Sequence, residues 1–127
     1  MVKIMKVGND ICEVKRFLEL VSNKRFLDRV FTKKEQEHIF VSKDRQKQAE
    51  RMAGKFSGKE AVSKALGLGI SGGVDFLTIE ILPDENGAPK VTLYGASKEI
   101  FEKMQEFQLE ISISNTMLYA SCVCVII

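Results

Sequence analysis

The sequence predicts an α+β fold, and three observations carry that prediction. Apolar residues recur at helical spacing through residues 13–66, and they alternate at strand spacing in most runs beyond residue 74. A strong turn signal, Pro83-Asp84-Glu85-Asn86-Gly87, separates two of those runs. Helices crowd the first half and antiparallel strands the second, the arrangement expected of an α+β chain. At 127 residues and 45% hydrophobic content the whole chain, 1–127, is expected to form a single domain with its own core.

In order along the chain, residues 2–7 read as a first strand that stops in a turn at Gly8-Asn9-Asp10. Val14, Phe17, Leu18 and Val21 place a helix over about 13–22, and Phe26 to Phe31 form a second short helical piece. Thr32-Lys33-Lys34-Glu35 is a capping box that opens a third helix reaching about residue 41. A longer helix follows over 47–66, with an apolar stripe of Ala49, Met52, Ala53, Phe56 and Ala61, and Gly67 to end it. Gly54 and Gly58 inside it each cost about 1 kcal/mol against Ala, so something packs or binds close to the backbone there. Gly69–Gly73 reads as a loop, and Val74–Leu82 as a strand with Leu77, Ile79 and Ile81 on one face. Lys90–Tyr94 returns as its hairpin partner. A helix over 97–107, a strand over 109–113 and a more deeply buried final strand over 117–127 complete the reading.

Charge is unevenly shared. The chain carries 19 bases and 17 acids, yet residues 1–64 hold 16 of those bases and only 9 of the acids. The first half is therefore expected to face something anionic. Three cysteines exclude a complete disulfide framework or a four-cysteine zinc site, and point to a reduced, cytoplasmic protein. No apolar run approaches the roughly 20 residues a membrane helix needs, so no membrane partner is expected.

Chemistry concentrates in residues 51–67, where bases crowd among small residues. Glu60 and Lys64 lie four apart, and spacing alone predicts an ordinary helix-surface ion pair. The neighbours suggest more. Lys55 and Lys59 precede at the same step, and Gly54 and Gly58 leave room for a ligand. A carboxylate beside several ammonium groups suits a Mg²⁺-bridged phosphate ester, with the carboxylate on the hard cation and the lysines on the remaining charge. Mg²⁺ usually takes one or two protein carboxylates, and Asp10 is the candidate for the second.

Three blocks in order along the chain resemble the holo-acyl-carrier-protein synthases, a branch of the 4′-phosphopantetheinyl transferases. The segment 7–16, Val-Gly-Asn-Asp-Ile-Cys-Glu-Val-Lys-Arg, is similar to the family's opening G-x-D-[IL]-x-[ED]-[IVL]-x-R. Residues 53–65 are close to its signature F-x-x-K-E-A-x-x-K-A, and 111–116 fall where it has S-[IL]-[ST]-H. The middle block is the specific one. The resemblance implies a 4′-phosphopantetheinyl transferase-like fold, with Asp10 and Glu60 as Mg²⁺ ligands and Lys64 on the coenzyme A pyrophosphate. Lys55, standing where many members have Arg, and Asn86 and Asn115 would contact coenzyme A. Arg16, Arg25 and Arg29 lie in the region that meets the acidic helix of acyl carrier protein. The implied reaction moves 4′-phosphopantetheine from coenzyme A to a carrier-protein serine, for fatty acid biosynthesis, and releases adenosine 3′,5′-bisphosphate. Glu60 or a Mg²⁺-bound water near Asp10 would take the proton. A homotrimer with sites at subunit interfaces is implied as well.

Two departures stand out, the first being Asn9, which is more polar than the apolar residue the family typically has before the metal aspartate. Asn115 replaces the family's usual histidine, and an amide neither carries positive charge nor shuttles a proton near neutral pH. The only histidine, His38, reads as an ordinary surface residue of the third helix. Cys12 lies near the proposed site without a histidine to activate it. A non-catalytic binder of coenzyme A or carrier protein on the same scaffold is the competing reading, and keeping Asp10, Glu60 and Lys64 together argues against it. An RNA-binding protein ranks last, because aromatic residues do not interleave with the bases.

Overall fold

A computed structural model describes residues 5–67, 69–70, 74–104 and 108–127. The chain runs β1 (Lys6–Glu13), α1 (Lys15–Leu20), α2 (Lys24–Val30), α3 (Lys33–Ile39), α4 (Arg45–Ala65), a 3₁₀ turn (Phe76–Thr78), β2 (Ile79–Pro83), β3 (Pro89–Leu93), α5 (Gly95–Lys103), β4 (Leu109–Asn115) and β5 (Tyr119–Ile126). One antiparallel sheet has the order β1-β5-β4, and β2-β3 forms a separate hairpin. The α+β prediction holds, with α4 laid across the inner face of the three-stranded sheet.

β1 differs from the sequence reading. No turn forms at Gly8-Asn9-Asp10; the strand runs on to Glu13, pairing Gly8 with Cys124, Asp10 with Cys122 and Cys12 with Ala120. Residues 2–4 of the predicted strand lie outside the described residues. The glycine serves packing. A Cβ at Gly8 would overlap the Ala61 carbonyl oxygen and stand 2.7 Å from the Ala65 amide nitrogen, both backbone atoms of α4. Gly8→Ala is therefore expected to cost about 3 kcal/mol or more, since neither neighbour is a flexible side chain. A melting temperature within about 2 °C of wild type would show that α4 can step away from β1.

α2, α3 and α4 each start where a side chain caps them, whereas α1 follows Val14 with no side-chain cap. Asn23 accepts from the Phe26 amide, Asp44 from the Lys47 amide, and Thr32 and Glu35 close the predicted capping box. The Asp44 cap sets α4 two residues earlier than the apolar stripe suggests. Gly67, at φ +94°, follows its last turn in a conformation that favours glycine. Of the two outcomes left open, packing accounts for Gly58, whereas Gly54 lines a cavity and meets no tight neighbour. A Cβ on Gly58 would overlap Ile81 Cδ1, and one on Gly54 would stand 3.5 Å from Ile113 Cγ2.

Three later expectations need correction. Residues 76–78 form a 3₁₀ turn, because Asp75 accepts from the Leu77 amide, so Leu77 is exposed while Ile79 and Ile81 are buried. The fifth helix begins at Gly95, two residues early, and residues 105–107 of its predicted end lie outside the described residues. β5 is not buried on both faces: Ala120, Cys122, Cys124 and Ile126 face α4, while Tyr119 and Val123 are exposed. Among the described residues, no helix is long and apolar enough to cross a membrane.

The core has two parts joined by α4. Phe17, Leu27, Val30, Phe31, Ile39 and Met52 fill the first, under α1–α3. Val62, Ile79, Ile81, Cys122, Cys124 and Ile126 fill the second, between α4 and the strands. All three cysteines are buried and unpaired, and burial pushes the Cys122 and Cys124 thiols up to about 12.

Candidate functional site

Two groups of functional side chains form, on different sides of α4. The first gathers where β1 crosses the helix. Lys64 Nζ lies 3.4 Å from Asp10 Oδ1 and donates to the Asn9 carbonyl at 3.0 Å. The surface ion pair between Glu60 and Lys64 predicted from spacing is not among the salt bridges; Lys64 turns to Asp10 instead. Ser57, wholly buried, donates to Asp10 Oδ2 at 3.2 Å and lies as close to the Ala120 carbonyl. Cys12 touches Ser57 at 3.6 Å, and burial raises its thiol above the ordinary range, which leaves it inert.

Glu60 shares this region. Its carboxyl is held above the usual range first by burial and then by the negative charge of Asp10, with Lys64 and Arg16 opposing. The two carboxyl groups are near enough for Asp10 to oppose the ionisation of Glu60. Among the described residues no cluster of three or more His, Cys, Asp or Glu exists. The described residues thus form no closed protein cage, but two hard oxygen donors beside a phosphate are what Mg²⁺ accepts. The residues present fit the ion.

The second group lines a cavity of about 330 Å³ between α3, α4, the β2–β3 hairpin and the end of β4. Lys47, Arg51 and Lys55 bring three bases to it, spaced four apart on one stripe of α4, against the single acid Glu50. Asn115 and Gly87 line it too, whereas Asn86 sits exposed on the adjoining turn. Lys55 is buried and donates to the Ile81 carbonyl at 2.9 Å. Desolvation, partly offset by Glu35, draws its ammonium down to about 8. With one donor on that carbonyl, the ammonium keeps two for a phosphate in the cavity.

Lys59 is the clearest departure from the expected phosphate-facing row. It is fully buried, bonded to Glu35 at 2.7 Å and to the carbonyls of Val30 and Phe76 at 2.8 Å. His38 also departs from its reading as an ordinary surface residue, since it lines the cavity and its Nδ1 is buried. Arg16 is exposed beside Glu60, its guanidinium 5.4 Å from the Phe56 ring centre. Arg25 and Arg29 stand exposed on α2, away from both groups. Sequence reasoning missed Lys47 and Arg51, though their four-residue steps to Lys55 were there to be read. It also missed Ser57, a hydroxyl midway between Ala53 and Ala61 on the buried stripe.

Comparison with known proteins bears on this geometry. The family model described as the 4′-phosphopantetheinyl transferase superfamily matches residues 6–123. A holo-[acyl-carrier-protein] synthase of Ruminiclostridium cellulolyticum is 38% identical over 122 residues, covering 96% of this chain and 91% of that protein. One from Thermoanaerobacter sp. is 43% identical over 117 residues, covering 91% and 83%. Among solved structures, a holo-(acyl-carrier-protein) synthase from Bacillus anthracis in complex with CoA (3′,5′-ADP) superimposes with a TM-score of 0.79 at 30% identity, covering 97% of both chains. The Helicobacter pylori enzyme in complex with coenzyme A gives 0.76 at 33%, covering 94% of this chain and 98% of that one. Asp10, Glu60 and Lys64, drawn together here from β1 and α4, lie within the matched span, and the chain belongs to the 4′-phosphopantetheinyl transferase superfamily.

Proposed function

We propose that this chain transfers 4′-phosphopantetheine from coenzyme A to a serine of an apo acyl carrier protein, using Mg²⁺ and releasing adenosine 3′,5′-bisphosphate. The observation that carries the reading is the meeting of Asp10, Glu60 and Lys64 across the β1–α4 contact. Asp10 and Glu60 would hold the ion, which when bound supplies charge neutralisation at the pyrophosphate. The serine hydroxyl attacks the β-phosphorus, the bond from phosphorus to the bridging oxygen breaks, and the bisphosphate leaves with the electron pair. Lys64, half exposed and tethered to Asp10 and the Asn9 carbonyl, would meet charge growing on that leaving oxygen. The serine's proton goes to Glu60 or to a water near Asp10. Asn115 offers its amide to the coenzyme, and the bases of the cavity suit its phosphates. Arg16, Arg25 and Arg29, all exposed, suit the acidic surface of a carrier protein.

A homotrimer with shared sites belongs to this reading, and two observations support it. Met5, Val7, Ile11, Tyr119 and Val123 expose apolar side chains on the sheet face turned away from α4. The carboxylate cluster and the basic cavity, both wanted by one coenzyme, lie nearly half a turn apart around α4 at about 100° per residue. A neighbouring copy could set the cavity of one chain against the carboxylates of the next. Ile11→Asp is expected to yield monomers by light scattering and to lose transfer together with assembly. A wild-type chain that is monomeric and active at the same concentration would exclude shared sites.

The experiment for the function is mass spectrometry of apo acyl carrier protein incubated with this protein, coenzyme A and Mg²⁺. A gain of one phosphopantetheine is expected. Binding of coenzyme A without any gain would leave only the binding-module reading.

A further inference from the structure

We propose that His38 is a substrate-binding residue in this chain, its imidazole hydrogen-bonding a phosphate of the coenzyme in the basic cavity. The inference rests on the transferase reading above and deepens it.

His38 lies in the last turn of α3 and lines the cavity together with Lys47, Arg51, Lys55 and Asn115. Among the described residues, its Nδ1 is the one buried side-chain nitrogen or oxygen with no hydrogen-bond partner. Every other such atom is satisfied, so this vacancy wants a cause. Neither neighbouring base bonds the ring nitrogen; each spends a donor on a backbone carbonyl. Arg51 donates to the His38 carbonyl at 2.8 Å, and Lys55 donates to the Ile81 carbonyl at 2.9 Å. The ring lines the cavity, and its Nδ1, shut off from solvent in the empty site, would turn to a phosphate bound there.

Charge says what kind of group belongs there. Three bases meet one acid, Glu50, on the cavity wall, and nothing titratable from the β2–β3 hairpin or β4 lines it. Burial, then Lys55, then Arg51 lower the imidazole to about 4, so the empty cavity holds a neutral ring. A neutral ring with its proton on Nδ1 donates to an anion without adding a fourth charge to the wall. A dianionic phosphate would reverse the field that Lys55 and Arg51 impose, and the ring can then accept a second proton at Nε2. Asn115, on the same wall, has no such capacity.

The chain has one histidine, so its imidazole nitrogens can be observed without assignment. The test is a long-range ¹H–¹⁵N spectrum of the whole protein titrated with adenosine 3′,5′-bisphosphate, and separately with inorganic phosphate. Nδ1 is expected to shift on binding in the manner of a donating nitrogen. His38→Gln is expected to weaken the bisphosphate about tenfold, the scale of one hydrogen bond to a charged group. Proton uptake on binding, read from calorimetry in two buffers of different ionisation enthalpy, should be smaller in His38→Gln than in the wild type. Saturable binding with both ring nitrogens unmoved would overturn the role of His38 and leave the transferase reading standing. No bisphosphate binding to the wild type at millimolar concentration would overturn both. A shift with phosphate alone, but none with the bisphosphate, would mean an adventitious ion only.

Discussion

Glu60→Gln is expected to lower phosphopantetheine transfer at least about 100-fold while leaving the melting temperature unchanged or slightly raised. The first half of that result follows from charge. Removing one of two carboxylates takes away half of the oxygen donors available to a hard cation, and positioned charge commonly accounts for effects of this size. The second half follows from the direction in which Glu60 is shifted. Burial and the neighbouring Asp10 both oppose its ionisation, so the carboxylate destabilises the fold at neutral pH. The sign is consistent: a carboxyl held above its unfolded value favours the folded state at low pH, and loses that advantage as pH rises through the shifted value. A neutral amide of the same size removes the burden. Intact-mass time courses of the carrier protein, beside thermal melts, separate the two effects. Transfer within fivefold of wild type would remove Glu60 from the site. A fall in melting temperature by several degrees would mean that Glu60 holds the fold rather than the reaction.

Lys59→Met is expected to be the most destabilising single change near the site, at about 3–5 kcal/mol, because it strands a buried charge. Lys59 and Glu35 both have side chains fully shielded from water and lie 2.7 Å apart. Each also has work elsewhere. The ammonium takes the Val30 carbonyl at the end of α2 and the Phe76 carbonyl in the 3₁₀ turn. The Glu35 carboxylate accepts from the Thr32 amide at the start of α3 and from the Ile81 amide in β2. One ion pair therefore fastens four elements against α4, one residue before Glu60. Desolvation is the main cause that lowers the Lys59 ammonium, and Glu35 is the main one that restores it. Methionine keeps the length but leaves Glu35 buried beside two unpaired carbonyls. The double change Lys59→Met with Glu35→Gln should cost clearly less than the two single changes together, since the isolated charge is gone. Urea unfolding of the four proteins measures this directly. Additive costs would show that the pair is not coupled in the fold.

Several parts of this protein are written in local sequence. The capping box at Thr32–Glu35, the turn at Asp84–Gly87 and the alternation of β4 depend on neighbours within a few residues. The same holds for Glu60 and Lys64, because their spacing within one motif is a local fact. What the sequence could not decide was which distant partner each residue meets. Gly8 looks like a turn residue until α4 lies across it, when its missing Cβ becomes a matter of clearance. Lys64 looks like the partner of Glu60, and pairs with Asp10 because β1 passes closer. Lys59 continues a basic row by spacing, yet points to the inside, where only Glu35 and three-dimensional packing make an ammonium tolerable. His38 changes most of all, from a polar helix position to a cavity wall. Local hydrogen bonding and periodicity thus determined the elements and the motif. The choice of partners was left to the packing of α4 against both sheets, because burial and charge pairing act between residues far apart in the chain.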